Sequence, residues 1–119
     1  KNNKENKHSK NIHFGIKDLK KDDLLDTDLI IIRDLFFHLK INDIEKCLNN
    51  IKRHKFKYVA ITNYPNAEKN IDKIMGDRWR PYNLTKAPFN LIEPCFTISD
   101  PSSPNSIKNN KQLSIWMNM

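Results

Sequence analysis

The feature that most limits what this chain can fold into is the string DLIII at residues 28–32, where Leu29, Ile30, Ile31 and Ile32 run together between the charges of Asp28 and Arg33. A β-branched run too short for a buried helix suits a strand enclosed on both faces of a parallel sheet, with helices above and below. The next thirty or so residues agree. Asn42 is placed to cap a helix, with Glu45 three residues on to complete a capping box. Ile44, Cys47, Leu48 and Ile51 then repeat at the spacing of one buried helical stripe. Lys52, Arg53, His54 and Lys55 crowd the end of that helix, where positive charge complements its dipole. The string FKYVAIT at residues 56–62 reads as the next strand. Strand, helix and strand in succession make a βαβ unit, whose crossover is expected to be right-handed.

On either side the pattern is looser. Residues 1–10 hold four lysines and no apolar side chain, and read as a polar arm. Residues 11–19 alternate, with Ile12, Phe14 and Ile16 on one side, which predicts a short strand before a charged connection at residues 20–27. Residues 65–94 carry Pro81, Pro88 and Pro94 and little periodicity. Their aromatics Trp79, Tyr82 and Phe89 nonetheless predict an ordered excursion. Residues 95–99 and 112–117 read as two closing strands, and the string DPSSPNSIKNN between them predicts an antiparallel hairpin.

The whole is an α/β chain of 119 residues, the size of one domain or part of one. The longest apolar run is far short of the roughly 20 residues of a membrane helix, so no membrane partner is expected. Cys47 and Cys95 make neither a disulfide framework nor a zinc site. Both are expected as small core residues in a reducing cytoplasm, and no metal is expected. A net charge of +7 raises nucleic acid as a partner, but the lysines are spread along the chain rather than gathered into a stripe.

Two strings carry a resemblance. DLIIIRDLFFHL, with Arg33, Asp34, His38 and Leu39 in an R-D-x-x-x-H-L arrangement, precedes the helix and KYVAITNYP. Further on stands GDRWRPYNLTKAPFNLIEP, which includes Gly76, Trp79, Arg80, Pro81, Asn83, Leu84, Pro88, Phe89, Asn90, Leu91 and Pro94. Together with the closing LSIW, these resemble the C-terminal half of a class I S-adenosylmethionine-dependent methyltransferase domain. The resemblance spans about residues 12–116. It implies the later part of a Rossmann-like sheet, parallel strands ending in an antiparallel hairpin, with residues 65–94 on the substrate side. It also implies that the glycine-rich cofactor loop belongs to a missing N-terminal half of the same domain. Gly15 and Gly76 are the chain's only glycines, and neither stands in such a loop.

Ligands of open parallel sheets bind at the carboxyl ends of the strands, so residues just after each strand are the candidates. By resemblance, Asp18 and Leu19 face the adenine of S-adenosyl-L-methionine, and Ile32 and Arg33 lie beside its methionine end. Asp34 and His38, four residues apart, would share one face of a helical turn, where the carboxylate could orient an imidazole base. Asn63, Tyr64, Trp79, Arg80 and Asn83 fall on the side of the methyl acceptor. The bland readings stand beside these: a solvated Asp18, a structural Arg33–Asp34 ion pair, a locally packed His38, and an excursion that is only a lid. The acceptor stays open. Two other functions compete, a non-catalytic interaction module of the same shape and a basic nucleic-acid-binding domain. As this fragment alone, the chain is expected to be inactive.

Overall fold

Strand β2 (Tyr58–Asn63) is the most enclosed element of the chain, and the rest is arranged around it. The structure is a computed structural model that describes residues 11–72 and 80–119. It is a small α/β arrangement with a four-stranded mixed sheet in the order β1-β2-β4-β3. β1 (Leu29–Ile32) pairs parallel to β2, with Leu29 opposite Tyr58 and Ile32 opposite Ile61. β4 (Gln112–Met117) runs antiparallel along the other edge of β2, and β3 (Phe96–Ser99) runs antiparallel to β4. Between β1 and β2 come a single 3₁₀ turn (Phe36–His38) and helix α1 (Ile41–His54). Between β3 and β4 comes the short helix α2 (Pro104–Lys108). The closing strands are therefore an antiparallel pair, as expected, but the connection between them holds a helix rather than a plain loop.

The stripe read from the sequence is the core. Ile44, Cys47, Leu48 and Ile51 of α1 meet Ile32, Val59, Ile61 and Trp116 of the sheet, with Tyr82, Leu84 and Phe89 of the excursion closing the cluster. Each buried aliphatic side chain here contributes about 1.5–3 kcal/mol relative to leaving it in water. Burial also pushes the Cys47 thiol up to about 11, which keeps it protonated at neutral pH.

The other sheet face is open. Cross-strand partners share a face, so the registers put Leu29, Ile31, Ile98, Phe96, Ile115 and Met117 on the side away from α1. Ile31 is 58% exposed and Phe96 62%. The expectation that β1 is enclosed on both faces therefore fails. Its α1 side is covered, its far side is bare, and among the described residues its outer edge pairs with no strand.

Other local expectations also give way. Residues 11–19 form no strand and leave the free edge of β1 unpaired, and Ile16 is fully exposed. Instead the chain turns at Asp18, whose carbonyl accepts from the amides of Lys21 and Asp22. Asn50 of α1 then donates to the carbonyls of Leu19 and Asp22 at 3.0 and 2.8 Å. Asn42 does not cap α1. The helix begins one residue earlier, Lys40 occupies the cap position without a side-chain bond, and the amide of Ile41 donates to Asp72 Oδ1 at 2.7 Å. A carboxylate distant in sequence has taken the role that a local capping box was expected to fill. Cys95, expected in the core, is exposed on the approach to β3. The polar arm at residues 1–10 lies outside the described residues.

Two measurements check this packing. Lys55 ends α1 in the left-handed region at φ 54°, where a side chain costs about 1–2 kcal/mol and glycine does not. Glycine's extra freedom in the unfolded chain offsets part of that gain. Lys55→Gly is expected to stabilise the fold by about 0.5–1 kcal/mol in urea denaturation. With a thiol-specific chromophore, Cys95 is expected to react at once and Cys47 only at the rate of unfolding.

Candidate functional site

The strand directions gather four chain segments at one rim. β1 and β2 end there, whereas β4, being antiparallel, begins there; Asn63 faces Gln112, and Gln112 faces Ser99 at the end of β3. The turn after β1 and the end of β2 are joined directly, since the Asp34 amide donates to Thr62 Oγ1 at 2.8 Å. Two of the three turns expected to converge thus do so. The third does not. α1 runs back from this rim toward the amino ends of β1 and β2, and Asn50, in its C-terminal half, holds Leu19 and Asp22 there. Asp18 spends one carboxylate oxygen on the Lys20 amide of its own turn, at 3.0 Å. Asp18 and Leu19, expected to face an adenine, are therefore away from the rim.

Charge dominates the rim itself. Arg33 forms a two-pronged bond with Asp100, Nε to Oδ2 at 2.8 Å and a terminal nitrogen to Oδ1 at 2.7 Å. This pairing holds the Asp100 carboxyl below its ordinary range, with Lys111 adding to the effect, and raises the Arg33 guanidinium further. Lys111, immediately before β4, is buried at 2% exposure. Its Nζ lies 2.6 Å from Asp34 Oδ1, 3.2 Å from Ser102 Oγ and 4.0 Å from Asp100 Oδ2. Arg33, Asp34, Asp100 and Lys111 thus form one network of two cations and two anions. It joins the end of β1 to the connection between β3 and β4.

Asp34 does not pair with His38. Its φ of 60° sends the chain through the left-handed region, and the 3₁₀ turn starts only at Phe36, so no continuous helical turn stacks residue 34 over residue 38. The carboxylate turns to Lys111, while His38 is exposed with its ring tilted against Phe37 at 4.3 Å between centroids. Ile32 is a buried core residue, and Arg33 remains exposed at the rim.

Of the residues expected to face a methyl acceptor, the structure buries Asn63, Tyr64, Arg80 and Asn83. Asn63 Oδ1 accepts from the Leu84 amide at 2.7 Å, and the Tyr64 amide donates to the Tyr82 carbonyl at 3.0 Å. The Tyr64 ring meets Phe37 edge-on at 6.1 Å. Asn83 donates to the carbonyls of Pro65 and Ala67 and accepts from Thr85, while Asn70 brackets Asn83 through its amide and carbonyl. Arg80 is buried, its Nε on the Asp72 carbonyl and its amide on the Phe37 carbonyl. Tyr82 donates to the Leu39 carbonyl at 2.7 Å, and burial with the nearby Asp72 charge raises its phenol, so it stays a donor. These residues build the wall behind the rim and leave its surface to Arg33, Asp34, Leu35 and His38. Trp79 lies outside the described residues, as does Gly76.

The rim residues that sequence reasoning missed are Asp100 and Lys111. Asp100 opens the string read only as a hairpin tip and Lys111 directly follows it, and no spacing signal joins them to residues 33 and 34. Among the described residues no group of three or more histidine, cysteine or acidic side chains could hold a metal ion. No helix among them is long and apolar enough to cross a membrane. Compared with known proteins, the chain matches no family model, no curated protein and no solved structure.

The Asp100 pairing carries a pH signature. A carboxyl held below its ordinary value stabilises the fold fully above that ordinary value of 3.8, and the contribution disappears as pH falls through the lower folded value. In thermal melts taken from pH 6 downward, wild type is expected to lose its advantage over Asp100→Asn only below about pH 4. A gap that stays constant to pH 2 would contradict the pairing.

Proposed function

We propose that the chain is the C-terminal half of a Rossmann-like, class I S-adenosylmethionine-dependent methyltransferase domain, with Asp34 at the cofactor rim. One observation carries the reading. A parallel β1–β2 pair is extended by an antiparallel pair, and the turn after β1 and the end of β2 meet at one rim through the Asp34–Thr62 bond. Such an arrangement supports the sheet tail and binding edge that the resemblance of DLIIIRDLFFHL and WRPYNLTKAPFNL implies. The open far face, with Ile31 and Phe96 exposed, and the unpaired edge of β1 are where a missing N-terminal half would pack.

The residues present fit one end of the cofactor. Asp34 Oδ1 is enclosed beside Lys111, while the side chain as a whole is 40% exposed and Oδ2 stands 3.9 Å from Arg33 Nε, beyond hydrogen-bond distance, so Oδ2 is the more open oxygen. An open carboxylate oxygen accepts a hydrogen bond from an ammonium such as that of the methionine moiety, and exposed Arg33 offers charge to its carboxylate. Asp18 and Leu19 do not reach the rim, so the adenine and ribose would be held by residues outside this chain. When bound, S-adenosylmethionine supplies a methyl group on a positively charged sulfur. The chain's own part is to hold the turn at Asp34, to orient what binds beside it, and to exclude water with the wall of Asn63, Tyr64 and Tyr82. His38, exposed and unpaired with Asp34, stands as a pocket-edge residue rather than one half of an Asp–His couple. A reducing, cytoplasmic setting accords with the free Cys95 thiol.

Calorimetry with S-adenosylhomocysteine on the full-length polypeptide tests the reading. Wild type is expected to bind, and Asp34→Asn to bind about tenfold more weakly, the loss of one charged hydrogen bond. The 119 residues alone are expected to show no methyl transfer. Absence of binding by the full-length protein would remove the proposal in favour of a non-catalytic interaction module.

A further inference from the structure

We infer that Lys111 is the positioning residue of the rim: it fixes Asp34, and with it the turn after β1, in the conformation that a ligand meets. The inference deepens the methyltransferase reading and rests on it for the identity of that ligand. The geometry of the lysine stands without it.

A buried ammonium needs a counter-charge and hydrogen-bond acceptors, because water no longer supplies them. The groups around Nζ are Asp34 Oδ1 at 2.6 Å, Ser102 Oγ at 3.2 Å, Asp100 Oδ2 at 4.0 Å and the Phe37 ring at 5.8 Å. Arg33 already occupies both oxygens of Asp100. Asp34 is therefore the counter-charge left for Lys111, and the contact is a close ion pair rather than an aligned hydrogen bond.

Asp34 in turn needs the lysine. A residue with a side chain holds a positive φ only where its surroundings over-determine it, and such residues collect at ligand sites. Two ties fix Asp34 at φ 60°: Thr62 Oγ1 on its amide and Lys111 on its carboxylate. The lysine is itself anchored on both sides of its backbone. Its amide donates to the Ser106 carbonyl at 2.8 Å, and its carbonyl accepts from the Asp100 amide at 3.0 Å. The Ser106 hydroxyl knits the start of α2 by accepting from the amides of Ser102 and Ser103, both at 2.7 Å. Because β4 is antiparallel, its start rather than its end arrives at the rim, and Lys111, immediately before it, is held there by its own two backbone bonds. One oxygen of Asp34 is committed to this anchor, and the other, 3.9 Å from Arg33 Nε, keeps room to accept a hydrogen bond from a ligand.

Lys111→Met removes the charge and keeps the stem. Lys111→Gln keeps a polar tip, and serves where the methionine variant does not fold. Site-resolved amide exchange on the folded full-length polypeptide reads the positioning directly. In either variant the Asp34 amide is expected to exchange at least about tenfold faster while the amides of β2 keep their rates. Affinity for S-adenosylhomocysteine is expected to fall about tenfold, and Lys111→Gln placed on Asp34→Asn to add less than about twofold, since both changes break one link. Unchanged exchange at Asp34 overturns the inference whatever the ligand result. Acceleration spread evenly through β2 also overturns it, because the lysine would then serve general stability alone. A wild-type protein that ignores S-adenosylhomocysteine while Asp34 still responds to Lys111 removes the methyltransferase reading and upholds the positioning role.

Discussion

Every backbone amide and carbonyl taken out of water has to find a partner, and most of this chain outside the sheet and α1 has no ladder to supply one. Asparagine side chains fill the gap. Asn50 binds the turn at residues 18–22 to α1, Asn63 pins the Leu84 amide at the end of β2, and Asn83 with Asn70 closes the excursion on the loop after β2. An amide group offers a donor and an acceptor in one plane, so it substitutes for a neighbouring peptide group. The rim keeps its shape because these brackets fix irregular backbone from behind. Phe89, Tyr82 and Leu84 can be core residues of a segment whose described residues form neither strand nor helix for the same reason.

The second organising feature is the exchange of charge across the rim. Two anions and two cations meet within a few ångströms, partly screened from solvent, and each is satisfied by a partner from another segment. Such a network contributes little net stability once desolvation is counted, yet it is costly to break on one side only. Its effect is directional. It ties residues 33 and 34 to residues 100 and 111, and so makes the turn after β1 dependent on the connection between β3 and β4. The two sides of the rim are thereby parts of one assembly.

How much of this could be read in advance depended on whether the signal was local. The stripe Ile44, Cys47, Leu48 and Ile51 declares itself by periodicity and the strings at residues 28–32 and 56–62 by their apolar runs, and the βαβ unit came with them. The alternation of Ile12, Phe14 and Ile16 is also a local signal and gave no strand, since alternation alone does not bring a segment into a ladder. The Asn42 capping box was outcompeted by Asp72, thirty-one residues away from Ile41. Asp34 and His38 were separated by a single left-handed residue that no spacing rule detects. Lys111 was one lysine among many; only the fold singles it out by enclosing it.

The order β1-β2-β4-β3 has an unusual corollary for how the molecule is made and trimmed. The strand synthesised after all the others described lies inside the sheet, with partners along both sides. While the nascent chain is still emerging, it can hold a helix on a two-stranded ribbon, but β3 has nothing to join until Gln112–Met117 clears the ribosome. Loss of those few residues to a protease or a premature stop would not fray a border. It would split the sheet down its middle, stranding β3 and stripping β2 of its antiparallel neighbour.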